Sequence, residues 1–129
     1  MKRFSILFLL FLAGMITLQG QSAVSGSIIK AIRENNPVEI KKYFNRVADL
    51  DLIKYRGTCN KDQAAKITED FLKSLKVESV TVKRQDKTDD GGSFTLGSMH
   101  TDKGEYTLYF VLKQVGSEWL VHQFRIQKQ

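Results

Sequence analysis

The chain has 129 residues, 42% hydrophobic and 26% charged, with a formal net charge of +6. Its single cysteine excludes an internal disulfide, and two histidines far apart, His100 and His122, give no zinc-ligand spacing with it. The charges are interspersed, with Lys41 and Lys42 beside Glu39 and Lys83 and Arg84 ahead of Asp86. A nucleic-acid surface would want a one-sided basic stripe with interleaved aromatics, so this class is excluded too.

The first 23 residues, MKRFSILFLLFLAGMITLQGQSA, have the three parts of a secretory signal. Lys2 and Arg3 supply the positive start, residues 4–16 the apolar run, and Gly20, Ser22 and Ala23 the small or polar end. The run is shorter than the about 20 residues a membrane span needs. Cleavage between Leu18 and Val24 is expected, giving an exported protein, periplasmic or secreted, without stable membrane insertion. The remaining residues, 24–129, are long enough for one small domain with a single core.

Two helices are expected to open that domain. Val24, Ile28, Ile29 and Ile32 recur at helical spacing until Asn35-Asn36-Pro37 interrupts them. Asn36 then caps a second helix, with Pro37 at its first position and Glu39 placed to complete a capping box. Ile40, Tyr43, Phe44 and Val47 follow the i, i+3, i+4, i+7 pattern of a buried stripe. Residues 48–55, ADLDLIKY, alternate as a short strand would. A third helix starts near Asn60, with Ala64, Ile67, Phe71, Leu72 and Leu75 on its inner face.

From Val77 the period changes from 3.6 to 2. Val80 and Val82 face one way in VESVTVKRQ, and DDGG marks a turn. SFTLGSMH follows, with Phe94 and Leu96 on one face, and TDKG is the next turn. EYTLYFVLKQV carries bulk on both faces and reads as the central strand, and WLVHQFRI closes the sheet. Three helices with one short strand, then a four-stranded antiparallel meander, make an α+β domain.

In that order and length the chain resembles the nuclear-transport-factor-2-like superfamily, a cone in which a curved sheet wraps a long helix. More narrowly it is similar to a family of exported bacterial proteins assigned there. NPVEIKKYF at residues 36–44, CNKDQA at 59–64, and the terminal strands YTLYFVLK and WLVHQFRI carry the likeness. The resemblance implies a cone curved around the third helix and a concave pocket. It implies no reaction, because the superfamily includes isomerases, dehydratases, toxin-immunity domains and binding or dimerising modules.

The candidate chemistry is sparse. Cys59 precedes the cap Asn60, and Ala64 is the fourth helical residue, the spacing of a hydrophobic staple. The alternative is a thiol activated by the helix dipole, Arg56 and Lys61, able to form a mixed disulfide or link two chains. Asp49 and Asp51 would share a strand face roughly 7 Å apart. There they could bind a cation or divide acid and base roles, but Leu50 and Leu52 opposite them favour a solvated outer face. His122 stands in step with Leu120, Phe124 and Ile126. Tyr43, Phe71, Tyr109 and His122 are the candidates to line a pocket, and an isomerase-type site there lacks an inward carboxylate to act as base. The expectation is a non-enzymatic binding domain for a small apolar ligand or a protein partner, a second copy included, with no metal or cofactor called for. A small-molecule isomerase or hydrolase using the cone interior, and a thiol-linked partner acting through Cys59, are the alternatives.

Overall fold

A computed structural model of the protein describes residues 20–129. The expected signal segment therefore lies, up to residue 19, outside the described residues.

Helix α1, Gln21–Glu34, buries Ser25, Ile28, Ala31 and Ile32, the face its spacing predicts. It stops at Asn35, whose left-handed backbone (φ 47°) turns its N–H back onto the carbonyls of Ala31 and Ile32. Helix α2, Pro37–Tyr43, starts as expected: the Asn36 side chain accepts from the Glu39 N–H at 3.3 Å. The second half of the expected capping box does not form, because the Glu39 carboxylate takes Lys42 at 2.8 Å instead. The helix is also shorter than its stripe. Phe44 is buried as the first residue of a strand, and Val47 is 53% exposed.

Strand β1, Phe44–Leu52, pairs with β2, Tyr55–Asn60, as an antiparallel hairpin with Leu52 opposite Tyr55. Asn60 ends that strand and caps α3, Lys61–Lys73. Strands β3, Val77–Lys87, β4, Ser93–Thr101, β5, Gly104–Val115, and β6, Glu118–Lys128, form the expected meander.

The expected arrangement of one short strand and a four-stranded meander is corrected here. All six strands form one sheet in the order β2-β1-β6-β5-β4-β3, and β1 joins β6 in parallel. Residues 55–60 form a strand despite a polar composition because, at a sheet edge, only one face is covered: Cys59 is buried there, and Tyr55 and Gly57 are half-buried. The helices gather on one face and leave the other open.

Phe44, Phe110 and Phe124 sit at the centre of the core, with Phe124 edge-on to Phe44 at 5.7 Å and stacked on Phe110 at 6.4 Å. Each such ring contributes about 1.5–3 kcal/mol by leaving water. The inward residues of β4 are Ser93, Thr95, Gly97, Met99 and Thr101, so Phe94 and Leu96 share the opposite face. Small side chains there admit α1 closely, and Thr95 Oγ1 donates to Ser25 Oγ at 3.3 Å. β3 is a largely exposed edge: Val80 is half-buried and Val82 is 43% exposed.

Candidate functional site

The four residues expected to line one pocket lie in four separate clefts. Tyr43 stands with Trp119, Leu120 and Val24 near the β5–β6 turn. Tyr109 lies on the open face of the sheet with Asp49, Asp51, Arg56 and Arg125. His122 borders a shallow cleft with Asn45, Val47 and Lys113. Phe71 alone reaches a cavity beneath the helices.

His122 leaves the apolar row for a local reason. Val111 pairs with Gln123 and Leu112 with Val121, so His122 is the extra residue of a β-bulge. The bulge resets the phase: Val121, Phe124 and Ile126 are buried, and His122 is half-buried with Nδ1 3.1 Å from the Leu120 carbonyl oxygen.

Asp49 and Asp51 share the open face, as their spacing requires. Asp49 accepts from Thr58 Oγ1 at 2.6 Å, and Asp51 lies 3.1 Å from Arg56 and 3.7 Å from Arg125. Arg125 also stacks over Tyr109, which packs on Phe94, which carries Arg84. Across the sheet, Asp51 is paired with two arginines, and Asp49 is held by the Thr58 hydroxyl. The arrangement braces the sheet.

The cavity at Phe71 is different in kind. It has a volume of about 550 Å³, within the range of small-ligand pockets. α3 contributes Ile67 and Phe71, Leu75 follows it, and Leu52, Tyr55 and Tyr106 come from the sheet. Phe71 meets Tyr106 edge-on at 6.1 Å, forming an aromatic wall. The mouth carries Ile53, Lys54, Asp70, Lys103 and Lys128. Ile53 and Lys54 are the two-residue turn between β1 and β2, and Ile53 has φ +41° and is 53% exposed. A β-branched residue in that region is strained by about 1–3 kcal/mol where a two-residue hairpin turn prefers glycine.

Asp70 is paired with Lys66 at 3.1 Å. Lys54, Lys103 and Lys128 have no carboxylate partner among the described residues; Lys103 Nζ donates to the Ser74 carbonyl at the end of α3. No Asp or Glu is buried among the described residues. Nor do the described residues contain a group of His, Cys, Asp and Glu suited to a metal.

Cys59 is 5% exposed and its Sγ donates to the Ala48 carbonyl at 3.8 Å. Burial pushes the thiol's pKa up; the Tyr55 side chain opposes that rise and the nearby Asp49 charge adds to it. The capping box is complete, with Asn60 Oδ1 accepting from the Gln63 N–H at 2.9 Å and Gln63 Oε1 from the Asn60 N–H at 3.1 Å. His100 is exposed on β4 between Glu105 and Glu78, and its bond to Glu105 raises its pKa.

Residues 25–127 match a family described as a domain of unknown function, DUF4783. The chain belongs to the DUF4783 family. A DUF4783 protein of Bacteroides uniformis is 28% identical, with a TM-score of 0.74 over 81% of this chain and 95% of that one. The wider fold likeness reaches a protein named for NTF2, at 12% identity and TM-score 0.61 over 78% of this chain and 90% of that one. A cystatin-like domain of Nostoc punctiforme matches at 9% identity and TM-score 0.65, over 83% of this chain and 74% of that one. No curated protein matches the chain.

Sequence reasoning placed the helical wall of this cavity, with Ile67, Phe71 and Leu75 on one face, named only Phe71 for a pocket and missed the sheet side. Tyr106 could have been found, since it alternates with Leu108, Phe110 and Leu112 on the face opposite Tyr109. Ile53 and the three lysines carried no local signal, because they meet only when two turns and the end of β6 converge.

Proposed function

We propose that the protein is an exported, non-catalytic binding domain that takes a small apolar ligand in the cavity at Phe71. The apolar wall of Ile67, Phe71, Leu75 and Tyr106 at the mouth of the cone carries this reading. A pocket so lined gains affinity mainly by taking apolar surface out of water. Chemistry would need a desolvated acid or base, and the described carboxylates are solvated or paired. Export rests on the basic and apolar start of the sequence.

Titration with the neutral dye Nile red tests it. Enhanced, saturable fluorescence is expected, weakened by Ile67→Trp, which puts an indole into the α3 wall of the cavity, in a variant that still unfolds cooperatively. Fluorescence that does not saturate, or that Ile67→Trp leaves unchanged, would overturn the reading.

A further inference from the structure

The cavity has an apolar interior and a basic rim, and that combination selects among apolar ligands. Lys54 sits on the strained β1–β2 turn, Lys103 on the β4–β5 turn and Lys128 at the end of β6. All three converge on one mouth, against a single acid, Asp70, that Lys66 already holds. Lys103 is also fixed in place. Its N–H bonds Thr101 Oγ1 at 3.1 Å, and the neighbouring Asp102 ties the turn to Lys76 through bonds of 2.7 and 3.1 Å. Among the described residues, the ammonium groups of Lys54 and Lys128 thus stand without a protein partner beside an apolar slot. The third, Lys103, donates one N–H to the Ser74 carbonyl and keeps two for a ligand.

Ile53 adds an independent observation. A turn that would be relaxed with glycine instead holds an isoleucine, half in water, over the mouth. Its side chain gains nothing from that exposure in the free protein, and an apolar chain entering the slot would cover it.

We propose that the cavity holds a free single-chain carboxylate, its chain against Phe71 and Tyr106 under Ile53 and its head among Lys54, Lys103 and Lys128. This rests on the apolar-cavity reading above and goes further, because a neutral chain would bring the three cations no counter-charge. A carboxylate accepts from several ammonium groups at once, and each such bond is charge-assisted.

Decanoate and decanol, equal in chain length and different in head, separate the two ideas when titrated by NMR. Decanoate is expected to bind at least tenfold more tightly than decanol at low salt, with that preference shrinking as salt rises. Lengthening the carboxylate should tighten binding roughly fourfold per methylene until the slot is full. Replacing Lys54, Lys103 and Lys128 together by Gln should remove the preference and leave decanol within about twofold. Ile53→Gly should raise Tm while weakening decanoate roughly threefold or more, a split that a purely structural role would not produce.

Equal binding of the two, or a triple variant that keeps the preference, would overturn the carboxylate proposal and leave the apolar-cavity reading standing. Binding of neither would overturn both. Sedimentation with phosphatidylglycerol vesicles, with decanoate unbound, would put the lysines on a membrane surface and also overturn the proposal.

Discussion

At the scale of single residues the molecule decides what its thiol can do. Cys59 comes immediately before the helix cap, where a dipole could activate it, yet it points inward beside Ala48 in a cluster that also contains Ala64. Desolvation outweighs the opposing hydrogen bond from the Tyr55 side chain, so its pKa is raised. The sign of the linkage follows from that direction. Unfolding releases the thiol to an ordinary pKa of about 8.5, so the folded state binds the proton more tightly. The stabilising contribution is intact below that pH and is lost as pH rises towards the folded value. Cys59→Ala is expected to cost about 1 kcal/mol near neutrality and to flatten the alkaline fall in stability, measured by denaturant melts across pH 7–10. In the same window a thiol reagent should label the native protein far more slowly than the denatured one. Rapid native labelling would show the thiol to be accessible.

At the scale of elements, punctuation that acts within a few residues was legible and punctuation that acts through space was not. Asn60 and Gln63 satisfy each other's backbone donors across three residues, and both bonds form. Asn60→Ala should therefore cost about 1 kcal/mol, within the 0.5–2 kcal/mol span of cap replacements, and Asn60→Asp should retain most of it. Calorimetry of the two variants checks the pair, and equal losses would remove the cap from the account. The hairpin before it escaped notice because its turn, Ile53-Lys54, contains no Gly, Asn or Pro, and the strain at Ile53 is what that omission costs. His122 was misplaced for a related reason. Strict alternation puts it with Phe124, and a bulge, invisible without the partner strand, moves it aside. The candidate cavity shares this history: Phe71 follows from helical spacing, whereas its opposite wall and rim come from residues far apart in sequence, from Leu52 at the end of β1 to Lys128 at the end of β6.

At the scale of the whole molecule, β6 is the element that makes one domain of two local units. The β1–β2 hairpin and the β3–β5 meander are each built from neighbours in sequence, and neither touches the other's ladder except through β6. Parallel pairing of β1 with β6 brings Leu50 opposite Phe124 and Leu52 opposite Ile126, closing a loop of more than half the chain. Phe124 is the joint, touching Phe44 from the N-terminal unit and Phe110 from the meander. Its removal opens a cavity that three elements line and that none can close alone, so Phe124→Ala should cost about 3–5 kcal/mol. Against a total of about 5–15 kcal/mol for a small domain, that is a large fraction. At roughly 4 °C per kcal/mol for a domain of this size, Tm should fall by about 12–20 °C. Phe124→Leu, which keeps most of the volume, should cost less than about 2 kcal/mol. Thermal melts followed at once by far-UV circular dichroism and by Trp119 fluorescence provide the measurement. Coincident transitions shifted together are expected, because the hairpin and the meander share this one ring. Two separated transitions in the alanine variant would show that the units are stable apart and that β6 is not what unites them.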